Sequence, residues 1–536
     1  MNKLVFSHAL SRDAWRIAAK ELRVWMVTGD LFPICSNRVF AACSATIVLS
    51  FMLMSPQVAR SATITLSPGA DIQSAVEANP DSTSFVLTPG LYRMQSVVPK
   101  QGDSFVGQTG ATMDGARILG NWTQAAINGV PYWTTAGGIP LSARCHAKGG
   151  ACCLNDWQDC VSPQDLYVDN VEYGHANSFA NMQTGRWYYD LSGTDGGTRN
   201  NVYLLDNPIG QTVELEAEVR AFTGTASNVT ITNLIIEKYA CPIASGAIQI
   251  QGPYWLVQGN EVRFNHSTGI SAVRGGDHVQ VLQNYVHHMG EAGVGGPANY
   301  GLWDSNTITY NNTNDVVPGW FAGGSKWVGH NIMISNNIVH DNKGPGLWSD
   351  VHARYDTYDN NTVYNNTEGI RYEVSEYGTI TNNTIYGNGP AGSGFGQIDS
   401  VASHDVTVSG NTITVGITNP YGNGSGGIGV GNSGRRDGFT ATHIHVTNNT
   451  VTFSSPADTA DAVGLSDYAN QSEIFTSDDN YFDYNTYYVP AQNNENWHWS
   501  ESPTGQGPNG VTWNTWRAKG EDLHGHMTLR VSAPAP

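Results

Sequence analysis

GLWSDVHARYDTYDNNTVYNNTEGIRYEVSEYGTITNNTIYGNG, residues 346–389, decides the fold. Within it an asparagine pair, a short β-branched triplet and a polar, glycine-ended tail occur twice, with Asn361 and Asn383 at equivalent places. The same unit extends in both directions, as VQGNEVRFNHSTGI, VLQNYVHHMGEAGV, DSNTITYNNTNDV, ISNNIVHDNKGPGL, VSGNTITVG and VTNNTVTF. Its marker residues are Asn260, Asn284, Asn306, Asn337, Asn361, Asn383, Asn411 and Asn449. Most steps between them are 22–24 residues, and those of 31, 28 and 38 imply loops protruding from single coils. A fixed period of this length is the signature of a solenoid. Short alternating strands parted by Gly and Asn, without the apolar periodicity of paired helices, give an all-β coil of about three strands. The asparagines read as a turn ladder, each tolerating positive φ and hydrogen-bonding its neighbour on the next coil.

Outward from the repeats the chain divides into five stretches. Residues 1–62 carry Lys3, Arg12, Arg16, Lys20, Arg23 and Arg38, then the apolar run Val39–Met54 and small residues near Ala59–Ala62. That order is expected of a secretory signal, so export to the periplasm or the exterior is expected, with no membrane attachment once the leader is removed. Residues 63–116 hold a short helix expected at Asp71–Ala78, with an acid at its start, and two strands either side of Pro89-Gly90. Residues 117–215 break the period and read as a β-rich insertion. Its Cys145, Cys152, Cys153 and Cys160 suggest two local disulfides in an exported protein, their pairing open; zinc, with His146 nearby, is the minor alternative. Cys241 is left single, and a buried place in the stack is expected for it. Residues 216–455 form the repeat core; 456–536 read as a last coil, a surface aromatic patch around WHWSES and a capping helix.

A formal charge of 27 − 46 = −19 works against nucleic acid and anionic membranes. A neutral glycan is the easier partner, and a monomer is expected.

Three coils carry glycine-led segments ending in an ionisable residue: GGSK at 323–326, GLWSD at 346–350 and GIRYE at 369–373. Counted back from the following asparagines, Lys326, Asp350 and Glu373 come out nearly equivalent, 11, 11 and 10 residues away. Equivalent positions on stacked parallel coils lie ~4.7–4.9 Å apart. That is close to the ~5–5.5 Å between the carboxyls of retaining glycosidases. Lys326 beside Asp350 favours its carboxylate, as a nucleophile requires, and repulsion leaves Glu373 the proton of a general acid. Trp320, Phe321, Trp327, Trp348, Tyr372 and Tyr377 lie on the same coils, and aromatic faces beside carboxylates suit sugar stacking. Glu376 is the alternative acid; His352 is placed to orient substrate, Arg371 to bind a carboxylate or phosphate on a substrate, and His287, His288 and Glu291 to line the far end. No metal ligand and no cofactor is expected at this site.

Two resemblances follow from these residues. GADIQSAVEANPDSTSFVLTPGLYRMQSVVPKQGDSFVGQ, residues 69–108, resembles the opening of pectate-lyase-like right-handed parallel β-helix proteins, which implies a helix plugging the end of the coils. GLWSDV…NNTVYNNTEGIRYEVS is similar to the β-helix β-xylosidase family of glycoside hydrolases, over roughly residues 225–450. There an Asp nucleophile and a Glu acid/base sit on adjacent coils, which implies those roles for Asp350 and Glu373. A polysaccharide lyase or uronate epimerase with Lys326 as base, the one case in which Ca²⁺ would enter, is the enzymatic alternative. A non-enzymatic glycan-binding or adhesin-like solenoid is the other.

Overall fold

The computed structural model describes residues 62–530 except 128, 138–163, 191–197, 390–394, 418–425, 435–437, 456–457, 459, 468, 471, 477–478, 492–494 and 502–509. The expected leader and Cys145, Cys152, Cys153 and Cys160 with their disulfides lie outside the described residues.

Three long sheets run side by side, and the chain visits them in rotation. In one coil, Leu256–Gln258 joins the first sheet, Glu261–Arg263 the second and Thr268–Ala272 the third. The next coil adds Gln280–Leu282, Tyr285–His287 and Ala292–Gly296, each parallel to its predecessor. Among the described residues the first and second sheets have thirteen strands each and the third twelve. Val257, Val262 and Ile270 face inward and are fully buried, and the residues stacked above Val262, Val286, Ile308, Val339 and Val363, are aliphatic at each of these levels. Stacking apolar side chains from successive coils builds one continuous core along the solenoid.

The asparagine ladder is present, with one correction. Asn361 Nδ2 donates to Ile334 O at 2.9 Å and to Asn383 Oδ1 at 3.0 Å, and Asn361 Oδ1 accepts from Asn337 on the other side. The positive φ belongs to the residue before each ladder position, as at Asn336, Asn360 and Asn382, and not to Asn337, Asn361 or Asn383. The ladder asparagine turns inward, where its amide satisfies backbone groups at a bend that no strand can reach. A second ladder, through Asn311, Asn342, Asn366 and Asn388, closes the next bend.

The ends are capped. The helix spans Ile72–Ala78, Asp71 caps it through Ser74 N, and Ile72 and Val76 enter the main core. At the other end WHWS is not a surface patch: Trp497–Ser500 is a strand of the third sheet, and Trp497 and Trp516 are fully buried. Asp522 terminates the first ladder, accepting from Asn485, Tyr487 Oη and Trp516 Nε1.

The insertion is an eight-stranded sheet with strands from Ala116–Leu119 to Val213–Glu216. It has its own cores, one around Leu166, Trp187 and Leu215, another around Tyr132, Tyr188 and Tyr203. Cys241 is a buried free thiol, as expected.

Candidate active site

The third sheet brings the ionisable residues together on its outer face. Its strands Gly323–Trp327, Pro345–Ser349 and Glu368–Glu373 are consecutive. Ser349 pairs with Tyr372, so Asp350 and Glu373, one residue on, occupy neighbouring levels of one column. That much of the expected geometry holds. Lys326 does not share the column: Trp327 pairs with Ser349, which puts Lys326 opposite Trp348, two residues short of Asp350. Counting from the asparagines misled by two because the connection to the first sheet varies, from 328–332 after one strand to 350–356 after the next. The lysine still reaches its acid, with Nζ 2.7 Å from Asp350 Oδ2.

Lys326, Trp348, Arg371 and Asp399 form the adjoining outward column. Lys326 Nζ lies 3.6 Å from the centre of the Trp348 ring, and the Arg371 guanidinium 5.3 Å from it. Arg371 is 3.0 Å from Glu373 Oε2 and 3.2 Å from Glu368 Oε2. The result is a compact alternation of charges, Asp350–Lys326 and Glu368–Arg371–Glu373, on either side of one indole. Asp350 and Glu373 are each 4% exposed and Lys326 6%. Burial pulls the Lys326 ammonium below its ordinary value against the attraction of Asp350. Burial raises the Glu368 carboxyl, with Arg371 opposing, whereas the carboxylates around Arg371 outweigh its own burial and raise it. Lys326 Nζ also donates to the carbonyl of Trp320, which ties the short helix Pro318–Phe321 over this face.

Several expected substrate contacts lie elsewhere. Tyr372 points inward: it is fully buried in the core and its Oη donates to Glu376 O at 2.7 Å. A one-residue alternation separates it from Glu373, and strand pleating sends neighbours to opposite faces. Trp348 faces outward, yet it is 1% exposed, and the two cations on its faces leave no ring for a sugar. Arg371 is engaged by Glu368 and Glu373, not open to a substrate anion. His288 follows a strand of the second sheet, packs beside Phe264 and Tyr310 and faces away from this column. His287 shares that face, 3.3 Å from Glu261, and Glu291 is buried, accepting from Ser267 and Ala244 N. His352 and Glu376 sit in the connections after the column: His352 packs on Phe439, and Glu376 holds Arg354 at 2.5 Å. Of the aromatic residues expected beside the carboxylates, Trp320, 43% exposed, and Tyr377, 40% exposed, are the most open to solvent, and the Trp320 carbonyl is the one that Lys326 meets.

Sequence reading missed Glu368 and Asp399, both buried within the Arg371 network. Glu368 opens the EGIRYE strand and so was available as a third acid on one strand; Asp399 had no signal, since the register across residues 390–394 is set only by pairing Arg371 with Asp399.

The backbone behind the carboxylates is strained. Val351, Val374 and Ala402, each directly after a residue of the Asp350–Glu373–Val401 column, have φ of 53°, 48° and 46°. Positive φ is a true outlier for a β-branched residue, costing of order 1–3 kcal/mol. Hydrogen bonds from His352 N to Val374 O and from Val374 N to Val401 O hold the bend on successive coils.

The family described as "Right handed beta helix region" matches residues 245–413. No curated protein matches the chain. Among solved structures, the XylC complex with xylose is 12% identical, covering 82% of this chain and 86% of that one at a TM-score of 0.56. The A-module of the Azotobacter vinelandii mannuronan C-5 epimerase AlgE6 is 14% identical, with coverage of 87% and 94% and a TM-score of 0.45. PfbA, a surface adhesin of Streptococcus pneumoniae, is 13% identical, with coverage of 75% and 92% and a TM-score of 0.35. At 12% identity the likeness to XylC is one of fold. Three parallel sheets wound by a 22–24-residue coil, with the matched region at their centre, make this chain a right-handed parallel β-helix.

Proposed function

We propose that the chain is an exported carbohydrate-active enzyme, a retaining glycoside hydrolase with Asp350 as nucleophile and Glu373 as acid/base. The observation that carries this reading is the pairing of Asp350 and Glu373 on adjacent coils, one residue beyond the Ser349–Tyr372 pair. Parallel strands are ~4.7–4.9 Å apart, and a retaining pair needs ~5–5.5 Å. The fold is shared with XylC, whose solved complex contains xylose, so a neutral sugar is the first substrate to try.

In this mechanism Lys326, 2.7 Å from Asp350, steadies the carboxylate that attacks the anomeric carbon. Glu373 protonates the departing oxygen, and then takes a proton from the water that releases the sugar. Arg371 positions Glu373 and exchanges between it and Glu368 as the charge on Glu373 changes. Trp320, exposed above Lys326, is the stacking surface.

The lowered pKa of Lys326 favours one second reading, a lyase or epimerase that uses it as base on a uronate. A screen against neutral and uronic plant and microbial glycans separates the two, with product anomers followed by NMR. Retention of configuration, with turnover reduced at least about 10³-fold in Asp350→Asn and Glu373→Gln, is the expected result. Inversion would remove the nucleophile assignment, an unsaturated product absorbing in the ultraviolet would establish the lyase, and binding without turnover in either variant or parent would leave a glycan-binding solenoid.

A further inference from the structure

A second buried cluster lies where the insertion meets the coils. Asp165 precedes the insertion strand Leu166–Val168, Glu216 ends its strand Val213–Glu216, and His266 sits on the bend between Glu261–Arg263 and Thr268–Ala272. One ligand atom from each of the three falls within 4.8 Å of the others, and all three residues are buried. His266 Nδ1 is 3.0 Å from Asp165 Oδ2, and Asp165 N donates to Glu216 Oε2 at 3.0 Å. Asn314 Nδ2, from a loop two coils on, is 3.2 Å from the same Asp165 oxygen.

Charge makes this cluster unlike an ordinary buried hydrogen-bond network. Among the described residues two carboxylates lie within 4.8 Å of one imidazole, so full ionisation of the three leaves a net negative charge away from water even with His266 protonated, and buried charge is costly unless it is balanced. A divalent cation with a neutral imidazole and two carboxylates balances to zero. The spacing suits it: bonds of ~2.0–2.2 Å place neighbouring ligands in a tetrahedral shell ~3.3 Å apart, near the Asp165–His266 distance already present. A separate observation points the same way. Among the described residues the buried Nδ1 of His175, on the insertion strand Val171–His175, has no hydrogen-bond partner, and the ring interacts electrostatically with both Asp165 and His266.

We propose that Asp165, Glu216 and His266 bind a divalent transition-metal ion of the zinc or manganese type, which clamps the insertion onto the β-helix. Mixed nitrogen and carboxylate donors select such ions over calcium, which prefers six to eight oxygens. The site stands apart from the Asp350–Glu373 column, and the clamp does not depend on the glycosidase reading.

The test uses the full mature chain stripped with a chelator, then titrated separately with Zn²⁺, Mn²⁺ and Ca²⁺ by calorimetry and thermal melting. One equivalent of Zn²⁺ or Mn²⁺ is expected to bind and raise the melting temperature, with Ca²⁺ weaker than both. Glu216→Gln and His266→Ala should lose more than the ~10–100-fold in affinity that outer-shell partners alone contribute. Glu216→Gln keeps the side-chain shape, so its metal-free melting temperature should equal or exceed that of the parent while the metal-dependent rise disappears. Absence of binding by any of the three ions, preference for Ca²⁺, or parent-like binding in both variants would overturn the clamp.

Discussion

Lys326 shows how one side chain can serve packing and chemistry together. Its ammonium meets the Asp350 carboxylate, the Trp348 ring and the Trp320 carbonyl at once, in a place where it is nearly shielded from solvent. A buried pair of this kind is net weak evidence for stability, but removing one partner strands the other. Lys326→Met should therefore lower unfolding free energy by roughly 3–5 kcal/mol, as broken buried pairs do. Adding Asp350→Asn to that variant should recover part of the loss in denaturant titrations. Additive losses would show that Lys326 acts through Trp348 and Trp320 rather than through Asp350. Residue identity alone could not distinguish Tyr372 from Glu373: both were plausible site residues, and only the pleat sends one into the core and the other out.

At the scale of elements, the ladders turn a repeat into a stack. Asn361 accepts from two groups of Asn337 and donates to Asn383 and Ile334. Asn361→Ala leaves Asn337 N buried without its acceptor. The cost should be about 3 kcal/mol, at the upper end of the 1–3 kcal/mol per orphaned buried group because several bonds go at once. Thermal or urea unfolding measures it; a change below about 0.5 kcal/mol would mean that the coils close the gap by themselves. The ladder was legible because it needs one residue type at one spacing. The register of the third sheet was not, since it follows connections of differing length, such as 328–332 and 350–356, and a two-residue slip moved Lys326 from beside Trp348 to beside Asp350.

For the whole molecule, burial of acids sets a pH dependence. Burial is the leading cause that lifts Asp114 to about 6 and Asp356, Glu291 and Glu521 to about 7. The unfolded values are near 4. A carboxyl raised on folding contributes stability that is complete below its unfolded value and is lost as pH climbs through its folded value. Burial also lowers His175 and His287 to about 4, and an imidazole lowered on folding works in the opposite sense, losing its contribution as pH falls from 6.5 towards 4. Burial lowers His288 as well, but the four carboxyls outweigh the three imidazoles between pH 5 and 7.5, so the chelated protein should melt at a higher temperature at pH 5 than at pH 7.5. Asp356→Asn, which keeps the acceptor for Ile332 N, should flatten that slope. Equal or higher melting temperature at pH 7.5 would count against the buried-acid account.

Composition, period and the asparagine spacing determined the solenoid, its three strands per coil and the one-coil separation of Asp350 from Glu373. Those features are local or strictly periodic, so they are written along the chain. What only the tertiary structure decided was which side chains meet across coils: Lys326 on Trp348 and Asp350, Glu368 with Glu373 around Arg371, Tyr372 in the core, and Asp165 and Glu216 of the insertion on His266. Each depends on loop lengths, strand pleat or contacts between residues as far as 101 positions apart, and none of these has a period to read.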